Sequence, residues 1–228
     1  MPPSQKTTAT TRRASISDLL APVGFDDLGL DLPLVGWGET DSETSEPPEP
    51  ASPLGALVYR PALYRRNAVA WASVRSWRAD AKRADLAQLK LCKAGLDPAM
   101  IAAAAGEIAA LIRLLLGMTS PAGWIATSVA CGHSRRYDCF GKRLGQAVAA
   151  ELELPFFEVF EDRFVAGVSH PKEFKKLPAL RWNHEPAGPV LVIDDLATSG
   201  WHMEEALGRI RALGVAAFGV VWLAGEAR

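Results

Sequence analysis

The chain has 228 residues, near-average apolar content and a net charge of −1, enough for one sizeable core. The balanced charge argues against bulk nucleic-acid affinity, and no apolar run long enough to cross a membrane is free of a charge or breaker. Three scattered cysteines argue against a disulfide scaffold and for a reducing, cytoplasmic setting, and no secretory signal core follows Arg12-Arg13.

Residues 1–56 read as a disordered or partner-docking arm. MPPSQKTTATTRR is small, polar and basic, and ETDSETSEPPEPASP is acidic and proline-rich; neither buries enough apolar surface to offset ordering. Between them, residues 15–37 alternate leucines and aromatics with aspartates, the pattern of a segment that docks on a protein partner or on its own domain. A folded composition begins at Leu57, and residues 57–117 are expected to form a helical lead-in to a core at 118–228. Asn67 to Lys93 is expected to be largely helical, with Val69, Val74, Trp77, Ala81 and Ala84 as its apolar stripe. The basic residues from Arg60 to Lys93, with Tyr64, Trp71 and Trp77 among them, suit a solvated face better than a nucleic-acid surface. Asp97-Pro98 opens a second helix as N-cap and first residue, and Gly117 closes it.

Alternating units follow: a strand from Trp124 to Ala130, a helix from Gly141 to Leu152, strands at Phe156 to Phe160 and Pro189 to Ile193, a helix ending near Leu213, and a strand from Val215 to Leu223. Such alternation predicts an α/β fold, a mostly parallel twisted sheet flanked by helices. HPKEFKKLPALRW, in the long connection between Glu161 and Pro186, reads as a flap.

The richest stretch is VLVIDDLATSG, Val190 to Gly200. Its apolar, mostly β-branched start suits a strand buried on both faces. Two carboxylates, Asp194 and Asp195, then emerge at the strand's C-terminal edge, where open α/β sheets bind ligands. Thr198, Ser199 and Gly200 lead into a helix whose N-terminal N–H groups and dipole suit a phosphate. A receiver domain also has a strand ending in Asp-Asp, but most of its fold comes after that strand, and too little chain remains here. Cys131, His133 and Cys139 are zinc-competent, yet no further pair at standard spacing accompanies them.

This stretch resembles the phosphoribosyl pyrophosphate (PRPP) loop of type I phosphoribosyltransferases. The order LKLCKAG, long helix, strand, Arg135-Arg136 loop and helix ending LELP is similar to the ComF-like branch, without its N-terminal zinc module. The resemblance implies that Asp194 and Asp195 contact the ribose hydroxyls, and that Ala197, Thr198, Ser199 and Gly200 bind the 5′-phosphate. It also implies that Arg135, Arg136 and the flap lysines Lys172, Lys175 and Lys176 face pyrophosphate. Mg2+ is expected to enter with PRPP, with Asp194 or Asp195 as its protein contacts. The implied reaction transfers phosphoribosyl to an unidentified nitrogenous acceptor, and a homodimer fits the same reading. The alternative is a noncatalytic PRPP- or nucleotide-binding regulator linked to DNA uptake or processing. Three departures from the pattern bear on this choice: Ala197 for a larger aliphatic, His202 for Thr or Ser, and Cys139-Phe140 for Asn-Gln.

Overall fold

The computed structural model describes residues 12–14, 57–77, 83–117, 123–130, 138–163 and 178–224. Its strands are β1 (Arg12–Ala14), β2 (Leu57–Arg66), β3 (Val69–Trp77), β4 (Ile125–Ser128), β5 (Val190–Ala197) and β6 (Ala217–Ala224). Its helices are α1 (Arg83–Ala94), α2 (Pro98–Leu116), α3 (Phe140–Glu151) and α4 (Trp201–Arg211). The strands form one sheet in the order β1-β2-β3-β6-β5-β4. β3, β6, β5 and β4 run parallel, and β1 and β2 extend the sheet antiparallel on the β3 side. The expected α/β class is therefore present. Of the N-terminal arm, only Arg12–Ala14 is described, as an edge strand paired with Leu63–Arg65; residues 15–37 lie outside the described residues.

The period-2 pleat of the central strands divides the core into two layers. Leu191 and Ile193 of β5, with Phe218, Val220 and Trp222 of β6, pack against Ile108 and Ile112 of α2 and Leu144 and Val148 of α3. Val190 and Val192, with Val221, pack against Met203, Leu207 and Ile210 of α4. Each such side chain contributes about 1.5–3 kcal/mol on full burial. The α2 helix has the length and apolarity of a membrane span. Here its Ile108 and Ile112 lie inside the core, and its one acid, Glu107, is paired: Arg75 donates to both carboxylate oxygens at 2.8 and 2.6 Å, and Trp222 Nε1 donates at 2.9 Å. That network joins β3, α2 and β6.

The expected helix over Asn67 to Lys93 is corrected by the structure, and with it the helical character of the whole 57–117 lead-in. β2 and β3 form a hairpin across the two-residue turn Asn67-Ala68, and only α1 and α2 are helical. Asn67 adopts φ 52°, a left-handed conformation that its short polar side chain tolerates. Residues 69–74 alternate faces, with Val69 and Trp71 in the α4 layer and Ala72 and Val74 in the opposite one. That double burial makes β3 a central strand, and a helix could not supply it.

The expected helix start at Asp97 is found: its side chain accepts from Ala99 N and Met100 N, and Gly117 ends α2 at φ 62°. Residues 156–160, expected as a strand, form only isolated bridges, Ala126 to Phe156 beside β4 and Phe160 to Trp182 outside the sheet. Val159 N–H turns back to the Phe157 carbonyl at 3.0 Å, which ends the ladder. Lys142 of α3 then anchors this segment through Asp162 at 2.7 Å and Glu158 at 3.2 Å. Arg163, nearly buried, donates to the Pro178 carbonyl at 2.8 Å and to both carboxylate oxygens of Glu205 at 3.0 and 2.8 Å.

Gly219 marks the closest approach of α4 to the sheet. A Cβ there would lie 2.5 Å from Met203 Sδ and 2.8 Å from Trp71 Cβ. Gly219→Ala is therefore expected to destabilise the fold by about 1–3 kcal/mol through overpacking, read as a lower urea midpoint with unchanged m-value.

Candidate functional site

Both acids lie within β5, which runs on to Ala197 and so extends beyond the expected end at Ile193. Successive strand residues point to opposite faces, so Asp195 shares the face of Leu191 and Ile193, and Asp194 that of Val190 and Val192. The α1 helix covers the first of these faces. Its Lys93 places Nζ 2.7 Å from Asp195 Oδ2, with both side chains partly buried. Asp195 N–H donates to Asp194 Oδ1 at 2.9 Å. Burial, and secondarily the negative charge of Asp195, pushes the Asp194 carboxyl up to about 8, against the opposing pull of Lys93. Near neutral pH the ligand-free pair therefore retains a proton.

The loop after the acids is short. Ala197 is the last strand residue, buried and paired with Ala224, while Thr198 is exposed and Ser199 partly so. Gly200 is the N-cap of α4 and supplies no side-chain acceptor to the first helical turn. It has φ 73°, and a Cβ on it would lie 2.6 Å from Trp71 Cζ2. The loop backbone thus rests on the Trp71 ring, which is stacked on Tyr64 with centroids 5.7 Å apart. Only glycine meets both conditions, a left-handed φ and no side chain.

Two basic residues flank this turn. Lys93 bears on the acids, and Arg66, at the end of β2, donates from Nη1 to the Ser199 carbonyl at 2.7 Å. Neither stood among the expected site residues. Lys93 belongs to LKLCKAG, whose likeness to the ComF-like branch was the one available signal; Arg66 had none, because its contact depends on the unrecognised hairpin. Asp194, Asp195, Thr198, Ser199 and Gly200 come together along one strand-loop-helix corner. Arg135, Arg136, Lys172, Lys175 and Lys176 lie outside the described residues, as do Cys131 and His133. His202 is half-buried in the first turn of α4, and Cys139 and Phe140 open α3, with Phe140 buried. Among the described residues no cluster of three or more metal-binding side chains occurs.

The raised Asp194 carboxyl has a consequence for stability. It ionises near pH ~4 in the unfolded chain and near 8 in the folded one. Between these values the unfolded state gives up a proton that the folded state keeps, so stability falls as pH rises. Asp194→Asn removes that dependence. Its melting temperature is expected to climb relative to wild type as pH is raised from ~5 to ~8, and a pH series of thermal melts checks this.

No family model and no curated protein matches the sequence. Among solved structures, the orotate phosphoribosyltransferase from Aeropyrum pernix is similar over 51% of this chain and 57% of its own, at 19% identity and a TM-score of 0.33. The likeness spans about half of each chain.

Proposed function

We propose that the chain binds PRPP with Mg2+ at the Asp194–Gly200 corner and transfers its phosphoribosyl group to a nitrogenous acceptor, releasing pyrophosphate. The observation that carries this reading is the joining of a partly buried acid pair to the N-terminus of α4 by a loop as short as Thr198-Ser199-Gly200. A sugar phosphate carries the complementary groups, hydroxyl donors beside an anion. Asp194 and Asp195 would accept from the ribose hydroxyls, and the loop and first turn of α4 would donate to the 5′-phosphate.

In the reaction the bond from ribose C1 to pyrophosphate oxygen breaks and a bond from nitrogen to C1 forms. Positive charge grows on the sugar, and the carboxylates beside it lower that cost. Fixing the ribose at one end and the phosphate at the other restricts C1 to a narrow range of positions, which is catalysis by placement. The donors suit a hard ion, because both acids offer oxygen ligands and Lys93 pairs with Asp195 alone. Asp194 or Asp195 would hold Mg2+, which neutralises charge on the pyrophosphate when bound. Arg135 and Arg136 suit forked contact with pyrophosphate oxygens, and Lys172, Lys175 and Lys176 suit point contact.

Calorimetric titration of PRPP with Mg2+, followed by pyrophosphate release against a panel of free bases, tests the reading. Asp194→Asn and Asp195→Asn are each expected to lose about tenfold to a hundredfold in PRPP affinity, the size of a charged hydrogen bond. Binding without turnover would favour the regulatory alternative, and no binding by the wild-type chain would sink both. Affinity also has a predictable pH dependence. Hydroxyl donors require an ionised Asp194, so PRPP binding should tighten as pH rises toward 8 and release a proton. Titrations in buffers of differing ionisation enthalpy count that proton.

A further inference from the structure

The Arg66 side chain is buried, only 7% exposed, immediately behind the loop that links the acids to α4. Besides its bond to the Ser199 carbonyl, its Nε lies 2.7 Å from Glu204 Oε2, in ionic contact without hydrogen-bond alignment. Its guanidinium carbon stands 3.7 Å from the centre of the Trp201 ring. Asn67, the next residue, donates from its side chain to the other Glu204 oxygen. The turn of the β2–β3 hairpin is thus plugged into the first turn of α4.

Two electrostatic consequences follow. In a trans peptide the C=O and the following N–H point to opposite sides. Holding the Ser199 carbonyl toward Arg66 therefore turns the Gly200 N–H away from the guanidinium. Glu204, for its part, puts a carboxylate in the first turn of α4, where the helix dipole favours negative charge. A phosphate at that helix end would be repelled by the carboxylate. Arg66 and Asn67 take up one oxygen each, and the guanidinium neutralises the charge. An arginine suits this task because its planar fork reaches a carbonyl and a carboxylate at once while stacking on an indole, and a lysine cannot do all three.

We infer that Arg66 is a positioning residue that makes the 198–200 loop selective for a ligand bearing a phosphate on its sugar. It does so by aiming the Gly200 N–H away from the guanidinium and by shielding the helix end from Glu204. This assignment rests on the PRPP reading above and adds to it the residue that tunes the phosphate end.

The test uses the full chain, with PRPP and inorganic pyrophosphate as separate probes, each titrated calorimetrically with Mg2+. Arg66→Met is expected to weaken PRPP binding at least ~10-fold, the loss of one charge-assisted hydrogen bond. Pyrophosphate, which carries no sugar phosphate, should change by less than ~2-fold, within the scatter of distant sites. Arg66→Met with Glu204→Gln should recover at least ~3-fold of the PRPP loss, because the repelling charge is gone. Thermal melts show which variants are folded. If Arg66→Met does not fold, Arg66→Lys carries the same test, with PRPP weakened and pyrophosphate spared. Equal losses for both probes, or PRPP affinity unchanged in a folded Arg66 variant, would overturn the assignment while leaving the PRPP reading intact. Absence of PRPP binding by the wild-type chain would overturn both.

Discussion

Everything at the candidate site depends on placing two carboxylates on adjacent residues of a strand that has neighbours on both sides. Hydration of Asp194 is curtailed by β6 and the helix layers, and its repulsion with Asp195 is strong at that separation. The fold meets this in three ways. The pleat sends the acids to opposite faces, Lys93 neutralises one of them, and the other keeps its proton to high pH. The first is the geometry of any strand; the other two are particular to this corner and leave a buried carboxyl that is costly to ionise in place.

How much of this was legible in the sequence varies by element. VLVI followed by two acids, two hydroxyl residues and glycine specified a buried strand, a polar exit and a helix start, and those features depend on local order. The cap Asp97, Pro98 and Gly117 were legible for the same reason. The β2–β3 hairpin was not. Its turn is Asn-Ala and lacks the usual glycine, and the alanines, valines and tryptophans of β3 are broken by serine and arginine in an order that fits a helical stripe equally well. Only double burial beside β6 distinguishes the two, and burial is a tertiary property.

The same gap explains why Lys93 and Arg66 escaped notice. Each acts on a residue more than a hundred positions away, and each depends on an element packed onto the C-terminal half of the sheet. The hairpin serves two purposes at once. It adds antiparallel strands to the sheet, and it supplies the Trp71 floor and the Arg66 contact for the loop. The Arg75–Glu107–Trp222 network holds the other end of β3 in register with α2 and β6, so the hairpin cannot shift without breaking a bidentate, partly buried ion pair.

The Arg163 clasp has a different kind of consequence. One guanidinium bonds the carbonyl of Pro178 and the carboxylate of Glu205, so Arg163 and Pro178 are both fixed against α4. That guanidinium ties two chain positions 15 residues apart to the same helix, α4, so replacing it would release both from α4 together.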